Sequence, residues 1–331
     1  MASLRALAAV LLAVGQGSAL LGGDAAGQRR RWRQPAAIAR ASGLDEFAQA
    51  LPSEGLERFD TFCSNVLEGG WDGPRNETQL DDGQLVSEYY FPGLVAKPWW
   101  RAAHVPDNDG VAWLTELEAA RDGIASELRA LLDADRVPWR HGHRPGNGFD
   151  VCHLTDTLSP KSMALLDAMS VPYRGARSVL FCRIEPRARL ETHSDYYNYV
   201  LTAHLPLFTA KRTAPLQRDT YDLADFDRAL AEDPYPAFEK LGKAGMVFRP
   251  NADVATHEPW FDAENRPQAA SLVDTTFTHS AFNDNADDDI YFLHFDCWHP
   301  GMTEAERTAV RVLDETFRKL QGERGGSGSA Y

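Results

Sequence analysis

The chain has 331 residues, 44% hydrophobic, 25% charged and 10% aromatic, an ordinary globular composition that excludes a fibrous or wholly disordered protein. Its net charge of −14 is uneven: residues 1–43 hold six Arg and one Asp, leaving 28 basic against 47 acidic residues beyond them, a net of −19. A body this acidic excludes a grip on a phosphate backbone or an anionic membrane, so no nucleic acid is expected as a partner.

At the N-terminus, Arg5 precedes an apolar run from Ala6 to Val14, and Gly17-Ser18-Ala19 supplies small residues beyond it. This is the layout of a signal peptide over 1–19. The run is too short to span a bilayer, and no later segment is apolar enough, so no stable membrane span is expected. A buried first helix is the alternative, but it lacks a cap and an amphipathic period. Residues 20–43 are Arg-rich and read as a basic linker or a transit segment. The expected location is the secretory pathway, in the endoplasmic reticulum lumen or secreted; the alternative is a plastid, reached through a signal plus transit peptide. Asn76-Glu77-Thr78 is a lone glycosylation sequon, usable only in a secretory compartment.

Residues 44–68 show helical spacing, with Leu44, Phe47, Leu51, Leu56, Phe59, Phe62 and Val66 as the apolar stripe. Gly69 to Asp82 is turn-rich. Glu88 to Trp100, broken by Pro92-Gly93 and Pro98, reads as a loop that packs its rings. Gly110 to Leu132 predicts one helix with Trp113, Leu117, Ala120, Ile124 and Leu128 inward. Asp133 to Leu158 reads as a polar connection, and Lys161 to Met169 as a short helix.

From Ser178 the period switches from helical to alternating. Val179 to Ile184 and Leu190 to His193 are strands. Asn198 to Phe208 alternates, with Asn198, Val200, Thr202 and His204 on one face and Tyr199, Leu201, Ala203 and Leu205 on the other. Pro215 to Leu241 is acidic and reads as an insertion. Met246 to Phe248, Ser271 to Phe282 and Ile290 to Trp298 are further strands, the last two read as a hairpin about Asp284 to Asp289. Thr303 with Glu306 is a capping box opening a final helix through Leu320. The four cysteines, Cys63, Cys152, Cys182 and Cys297, show neither CxxC pairing nor zinc-finger spacing, and Cys182 and Cys297 read as buried thiols.

Thr192-His193-Ser194-Asp195 ends a strand. The i, i+2 spacing turns His193 and Asp195 to one side of an extended backbone, where an imidazole nitrogen and a carboxylate oxygen can share one ion. A second histidine from a distant strand completes a two-His, one-carboxylate face with open positions, the arrangement Fe(II) oxygenases use. His279, ending Thr275-Thr276-Phe277-Thr278-His279, suits that role. Isolated HxD pairs are common, so the surrounding motifs matter. His294, in an apolar strand, reads as a satisfied core histidine. His141, His143 and His153 lie in the polar connection and read as no part of a metal site. Asp287-Asp288-Asp289 reads as a solvated turn lacking calcium-loop spacing.

From about Tyr89 to Glu306 the order of segments resembles the aspartyl/asparaginyl β-hydroxylase family. Three pieces carry the resemblance: Phe91-Pro92-Gly93-Leu94-Val95-Ala96-Lys97-Pro98-Trp99-Trp100; then Glu185-Pro186 through His193 to Asn198-Tyr199-Val200-Leu201-Thr202-Ala203-His204-Leu205; then Asp274 to His279 with Asn283-Asp284 and Asp296-Cys297-Trp298-His299-Pro300. The resemblance implies an α+β chain with a double-stranded β-helix (jelly-roll, cupin-like) core and flanking N- and C-terminal helices. It implies Fe(II) on His193, Asp195 and His279, and 2-oxoglutarate as cosubstrate against His204, Thr202 and Asn198. No catalytic residue is implied beyond the metal ligands. His299 matches the family's closing strand end and is not counted as a ligand.

Two departures from the family pattern stand out. Where the best-known animal members have Gly, this chain has Asp195, which restores the carboxylate of the triad. Where the family has two Arg facing the cosubstrate's carboxylates, this chain has Thr202 and Asp289; Arg183 or Arg249 is the candidate substitute. The expected activity is a 2-oxoglutarate-dependent dioxygenase hydroxylating an aspartyl, asparaginyl or similar residue of a peptide or protein, or a small amino-acid-like substrate. The alternative is a non-catalytic jelly-roll binding module that has lost 2-oxoglutarate. The expected division is a signal peptide at 1–19, a basic segment at 20–43, a helical extension at 44–170, a core at 171–302 with an insertion at 215–241, and a C-terminal helix and flexible tail at 303–331.

Overall fold

Eight strands, from Val179 to Trp298, alternate between two antiparallel sheets, and that alternation makes the jelly roll. The computed structural model describes residues 51, 54–68, 78–80, 83–86, 90–100, 111–142, 148–190, 192–195, 197–213, 243–251 and 254–322. The strands are β1 (Thr78–Gln79), β2 (Leu85–Val86), β3 (Trp99–Trp100), β4 (Arg140–His141), β5 (Phe149–His153), β6 (Val179–Ile184) and β7 (Ala188–Arg189). They continue as β8 (Val200–Lys211), β9 (Ala244–Asn251), β10 (Val254–Phe261), β11 (Ser271–Val273), β12 (Thr278–Asn283) and β13 (Asp288–Trp298). The helices are α1 (Glu57–Glu68), α2 (Trp113–Ala119), α3 (Arg121–Asp133), α4 (Pro160–Ala168) and α5 (Glu304–Gly322).

The larger sheet runs β3-β11-β8-β13-β6-β5-β4 and the smaller β10-β9-β12-β7. Apart from the β9–β10 hairpin, each strand from β6 to β13 lies in the opposite sheet to the one before it. This double-sheet arrangement leaves the eight core strands around a shared interior. Alternation along each strand fills two cores. Cys182, Ile184, Phe248, Trp260, Ala281, Ile290 and Phe292 meet in one buried cluster, with strands of both sheets contributing. Leu201, Ala203, Leu205, Leu293, Phe295 and Cys297 pack with Trp113, Leu117, Ile124, Leu128 and Leu166 of α2–α4. Each such side chain stabilises by about 1.5–3 kcal/mol on burial. Glu127 on α3 ties two helices: its carboxylate accepts from the Lys161 and Ser162 N–H groups (3.0 and 2.8 Å) and the Ser162 hydroxyl (2.6 Å). These are the unpaired amides at the α4 N-terminus, where a carboxylate is favoured.

Several elements differ from the sequence reading. The helix expected over 44–68 spans Glu57–Glu68 among the described residues; Gly55, at φ +75°, turns the chain before it. The single helix expected over Gly110 to Leu132 is two, because the chain turns at Ala120, whose N–H bonds the Glu116 and Leu117 carbonyls. The loop of Glu88 to Trp100 ends in β3, paired with β11. The polar connection 133–158 contains β4 and β5, which widen the larger sheet. β10 went unread. The strand expected from Ser271 to Phe282 is two, β11 and β12, in different sheets. The expected hairpin of β12 and β13 is a crossover between sheets. Asn283 holds that corner, its Nδ2 within 3.0 Å of the Ile184, Glu185 and Asp288 carbonyls.

The chain divides into two compact units, one of Gln79–Leu85 with Val95–Pro300 and the other of Met1–Thr78, Val86–Leu94 and Gly301–Tyr331. In the second, Phe62 stacks near Phe91 (5.4 Å) and Arg58 forks onto Glu306 at 2.7 and 2.5 Å. The capping box is present: the Glu306 N–H donates to Thr303 Oγ1 and the Thr303 N–H to Glu306 Oε2. All four cysteines are buried and none is in a disulfide. No described helix is long and apolar enough to cross a membrane. The signal, basic, sequon and acidic-insertion readings (1–19, 20–43, Asn76 and 215–241) lie outside the described residues.

Candidate metal centre

β12 opens at the site, and the turn before it sets the position of His279. Asp274 accepts the Thr276 N–H (3.0 Å) and hydroxyl (2.5 Å), and Gln84 Nε2 bonds the other Asp274 oxygen at 2.8 Å. This Asx-type turn delivers Phe277, whose carbonyl lies 2.8 Å from His279 Nδ1. A carbonyl only accepts, so Nδ1 carries a proton and Nε2 is the nitrogen available to a metal once neutral.

Beyond β7 the chain touches β12 again at one bridge, His193 opposite His279. Their rings lie 4.3 Å apart at 54°. Two residues on, the Asp195 N–H bonds the Thr275 carbonyl (2.9 Å), and the Ser194 hydroxyl lies 3.1 Å from the carbonyls of Leu85 and Thr276. Asp195 Oδ1 stands 4.0 Å from His193 Nε2.

Burial lowers the His193 pKa, only partly offset by Asp195, so its imidazole is neutral at pH 7. Burial raises that of Asp195, but His279, His193, Arg177 and the Thr275 hydroxyl outweigh it and keep the carboxylate ionised. Two imidazoles and one carboxylate suit a divalent transition ion. The three expected ligands are therefore neighbours with the right chemistry. They are not a finished cage: among the described residues, no group of three His, Cys, Asp or Glu side chains is disposed to hold a metal as it stands.

The residues expected against the cosubstrate share one strand face. His204 lies against Trp260 (4.9 Å) and Phe292 (5.7 Å), in the cluster drawn from both sheets. Its Nε2 faces His294 Nδ1 at 3.2 Å, while its buried Nδ1 has no partner. Thr202 donates its hydroxyl to Asp296 Oδ1 at 3.0 Å, so its proton is committed. Asp296 also accepts from the Ser178 N–H and hydroxyl. Asn198 is buried two residues before β8.

The candidate substitutes for the family's two Arg fare differently. Arg183 pairs with Asp150 and lies over the Trp139 ring, on the strand face away from Cys182 and Ile184. Asp289 is held by Arg212 (2.8 Å), which also bonds Glu185 (2.5 Å). The Arg249 side chain lies outside the described residues. His299 bonds the Val95 carbonyl (3.1 Å), a packed strand end as expected, and His141 bonds Asp150. His143 lies outside the described residues.

Sequence reasoning missed the polar patch that β8 and β13 form together. His294 stands opposite His204 and Asp296 opposite Thr202. The signal was present in the alternation: in an apolar strand, His294 and Asp296 fall on the same face as Phe292. Arg177 was missed as well, because it precedes a strand and belongs to no motif.

The family model for aspartyl/asparaginyl beta-hydroxylase matches residues 119–221. No curated protein matches the chain. Among solved structures, the chain is similar to HygX of Streptomyces hygroscopicus with nickel and 2-oxoglutarate bound, at 12% identity, covering 55% of this chain and 81% of that one, TM-score 0.33. It is similar to a Pseudomonas putida prolyl-4-hydroxylase at 12% identity, with 61% and 92% covered and a TM-score of 0.31. A 2OG-Fe(II) oxygenase family oxidoreductase of Burkholderia pseudomallei gives 13% identity, 60% and 94% covered, and a TM-score of 0.35. At these scores the fold assignment rests on the strand order itself. The matched stretch, just under a third of the chain, carries β5 through β8 with His193, Asp195, Asn198, Thr202 and His204, and over it the chain is similar to the aspartyl/asparaginyl beta-hydroxylase family.

Proposed function

We propose that this protein is an Fe(II)- and 2-oxoglutarate-dependent dioxygenase that hydroxylates an aspartyl, asparaginyl or similar residue of a peptide or protein, or a small amino-acid-like substrate. The observation that carries the reading is the bridge of His193 to His279 with Asp195 Oδ1 4.0 Å from His193 Nε2. His193, Asp195 and His279 would hold the iron, with their side chains turning to share it. When bound, iron and 2-oxoglutarate together supply the oxidising power that activates oxygen and hydroxylates carbon. The chain's own residues position and enclose. The Phe277 carbonyl holds the Nδ1 proton of His279, leaving Nε2 as the nitrogen available to a metal. His204 offers Nδ1 as a donor to the cosubstrate, with Trp260 and Phe292 closing its apolar side.

The rival, a binding module without 2-oxoglutarate, is favoured by one specific observation: Thr202 stands where the family has Arg, and its hydroxyl is spent on Asp296. A charge-assisted fork to a carboxylate is about twice as strong as a neutral bond, so the loss is substantial. Anaerobic titration of the iron-loaded protein with 2-oxoglutarate, followed by the visible absorption of the chelate and then by succinate release in air, separates the two. The dioxygenase reading expects saturation below about 1 mM, a binding energy of about 4 kcal/mol. An unchanged spectrum at millimolar 2-oxoglutarate would sink it.

A further inference from the structure

We propose that Arg177 is a substrate-anchoring residue, holding a carboxylate of the compound or peptide brought to the His193–Asp195–His279 centre. The identification of that compound as a substrate rests on the dioxygenase reading; the anion site itself does not.

Arg177 sits between α4 and β6, two residues before the first jelly-roll strand. A cavity of about 240 Å³ opens there, lined by His153, Tyr173, Arg174, Arg177, Ser178 and Val179. The guanidinium lies over the Tyr197 ring, 5.2 Å from its centre, and Tyr197 packs edge-on against Tyr199 at 5.8 Å. These tyrosines follow Asp195 by two and four residues. The carboxylates of Asp296 and Asp195 both act to raise the Arg177 pKa. Arg177 thus joins the cavity, through the Tyr197 ring, to the segment that carries Asp195.

The other polar groups lining the cavity are already engaged. Arg174 forks onto Asp167 at 2.8 and 2.5 Å and also faces Asp156. Burial, then Arg140, lowers the His153 pKa, so it is neutral at pH 7. The Ser178 hydroxyl is donated to Asp296. By contrast, among the described residues Arg177 donates no hydrogen bond and has no carboxylate within 4 Å; its guanidinium packs over the ring of Tyr197. With one face on the ring, the edges of the guanidinium project its N–H donors in a plane, the geometry that takes a carboxylate with two parallel bonds. The carboxylates of Asp195 and Asp296 cannot serve, because one is turned to the imidazoles and the other is filled by Thr202 and Ser178.

The occupant arrives from solution. Arg177 is exposed in an open cavity, whereas the cosubstrate residues Thr202 and His204 are buried on β8. An acidic body repels anions at long range, so an uncommitted guanidinium beside the centre is where an anionic group gains most.

The test uses the full chain, metal-free and nickel-loaded, with N-acetylglycine as the carboxylate probe and N-acetylglycinamide as its neutral counterpart, read by NMR titration. The metal-free protein is expected to prefer the carboxylate at least tenfold. Arg177→Gln should abolish that preference and Arg177→Lys should keep part of it, since Lys retains the charge but not the fork. The affinity of the nickel-loaded protein for 2-oxoglutarate should stay within twofold in Arg177→Gln. No preference in the unsubstituted chain, or a preference that survives Arg177→Gln, overturns the proposal. A tenfold loss of 2-oxoglutarate affinity in Arg177→Gln also overturns it, by giving Arg177 to the cosubstrate. Failure of 2-oxoglutarate to bind either protein removes the dioxygenase reading and leaves the anion site standing on the N-acetylglycine result.

Discussion

His193 and His279, 86 positions apart in the chain, exchange a reciprocal pair of backbone hydrogen bonds, the N–H of each to the carbonyl of the other at 3.0 and 2.9 Å. The bridge fixes both α-carbons before any metal arrives, so only side-chain rotation remains for binding. Because the backbone pair is independent of the side chains, His193→Ala or His279→Ala should fold with little loss of stability. Each should weaken divalent-metal binding by at least 100-fold, with Asp195→Asn a smaller loss, since a neutral amide oxygen is a poorer ligand than a carboxylate. Calorimetric titration with Ni(II) or Mn(II) checks this, and metal affinity unchanged in all three variants would remove the site.

The acid sensitivity of the barrel interior follows from its buried histidines. Burial, then the neighbouring imidazole, holds the His204 pKa well below its usual value, and burial likewise lowers that of His294. Each is neutral in the fold and takes up a proton in the unfolded chain below about pH 6.5. The stabilisation is therefore complete above that pH and is lost as pH falls through it, by up to about 1.4 kcal/mol per pH unit per group. The melting temperature should decline between pH 7 and pH 5. His204→Leu should flatten that decline, and an equal slope in both proteins would show that the pair does not control it.

The core strands were legible in the sequence because alternation is a strong signal where one strand face meets the helices and the other the opposite sheet: Leu201, Ala203 and Leu205 against Thr202 and His204; the jelly roll itself was implied by the family resemblance. Its strand pairing was not legible. β12 and β13 are separated by a short acidic turn, as a hairpin would be, yet lie in different sheets, with the Asn283 side chain spanning three carbonyls of the corner. Short edge strands such as β4 carry too few residues to show a period. The proximity of His193, Asp195 and His279 was anticipated through family motifs, whereas the β8–β13 patch and Arg177 required the register and the loop to be seen.

Asn283 should consequently be a stability determinant. It is fully buried, and its amide satisfies carbonyls that water cannot reach. Asn283→Ala removes the amide donor from the Ile184 and Asp288 carbonyls, while that of Glu185 keeps the Ala188 N–H, and each unmet buried group costs about 1–3 kcal/mol. A loss of about 3 kcal/mol or more is expected in denaturant unfolding, against under 1 kcal/mol if the corner is held by the backbone alone.

Glu127 makes the parallel case in the helical layer. Its carboxylate is the partner of two α4 amides and one hydroxyl. Glu127→Ala should cost about 2–3 kcal/mol, and Glu127→Gln less, because one amide oxygen can still accept. Hydrogen exchange at Lys161 and Ser162 should accelerate in both, with the remaining α4 amides following only in Glu127→Ala. Protection unchanged at Lys161 would exclude the capping role.

Asp296 decides how well the centre tolerates a dicarboxylate cosubstrate. It stands opposite Thr202 on the neighbouring strand and takes the threonine proton. Its negative charge and the lost donor both oppose an anion beside His204. In Asp296→Asn the charge disappears and the threonine hydroxyl is free to turn, so 2-oxoglutarate should bind about tenfold tighter, a gain of about 1.4 kcal/mol. The fold should tolerate the change, since an amide can still bond Ser178 and Thr202. Titration of both metal-loaded proteins measures it. If 2-oxoglutarate binds Asp296→Asn more weakly than the parent, the carboxylate is helping the cosubstrate and the position of the anion slot along β8 has been misassigned.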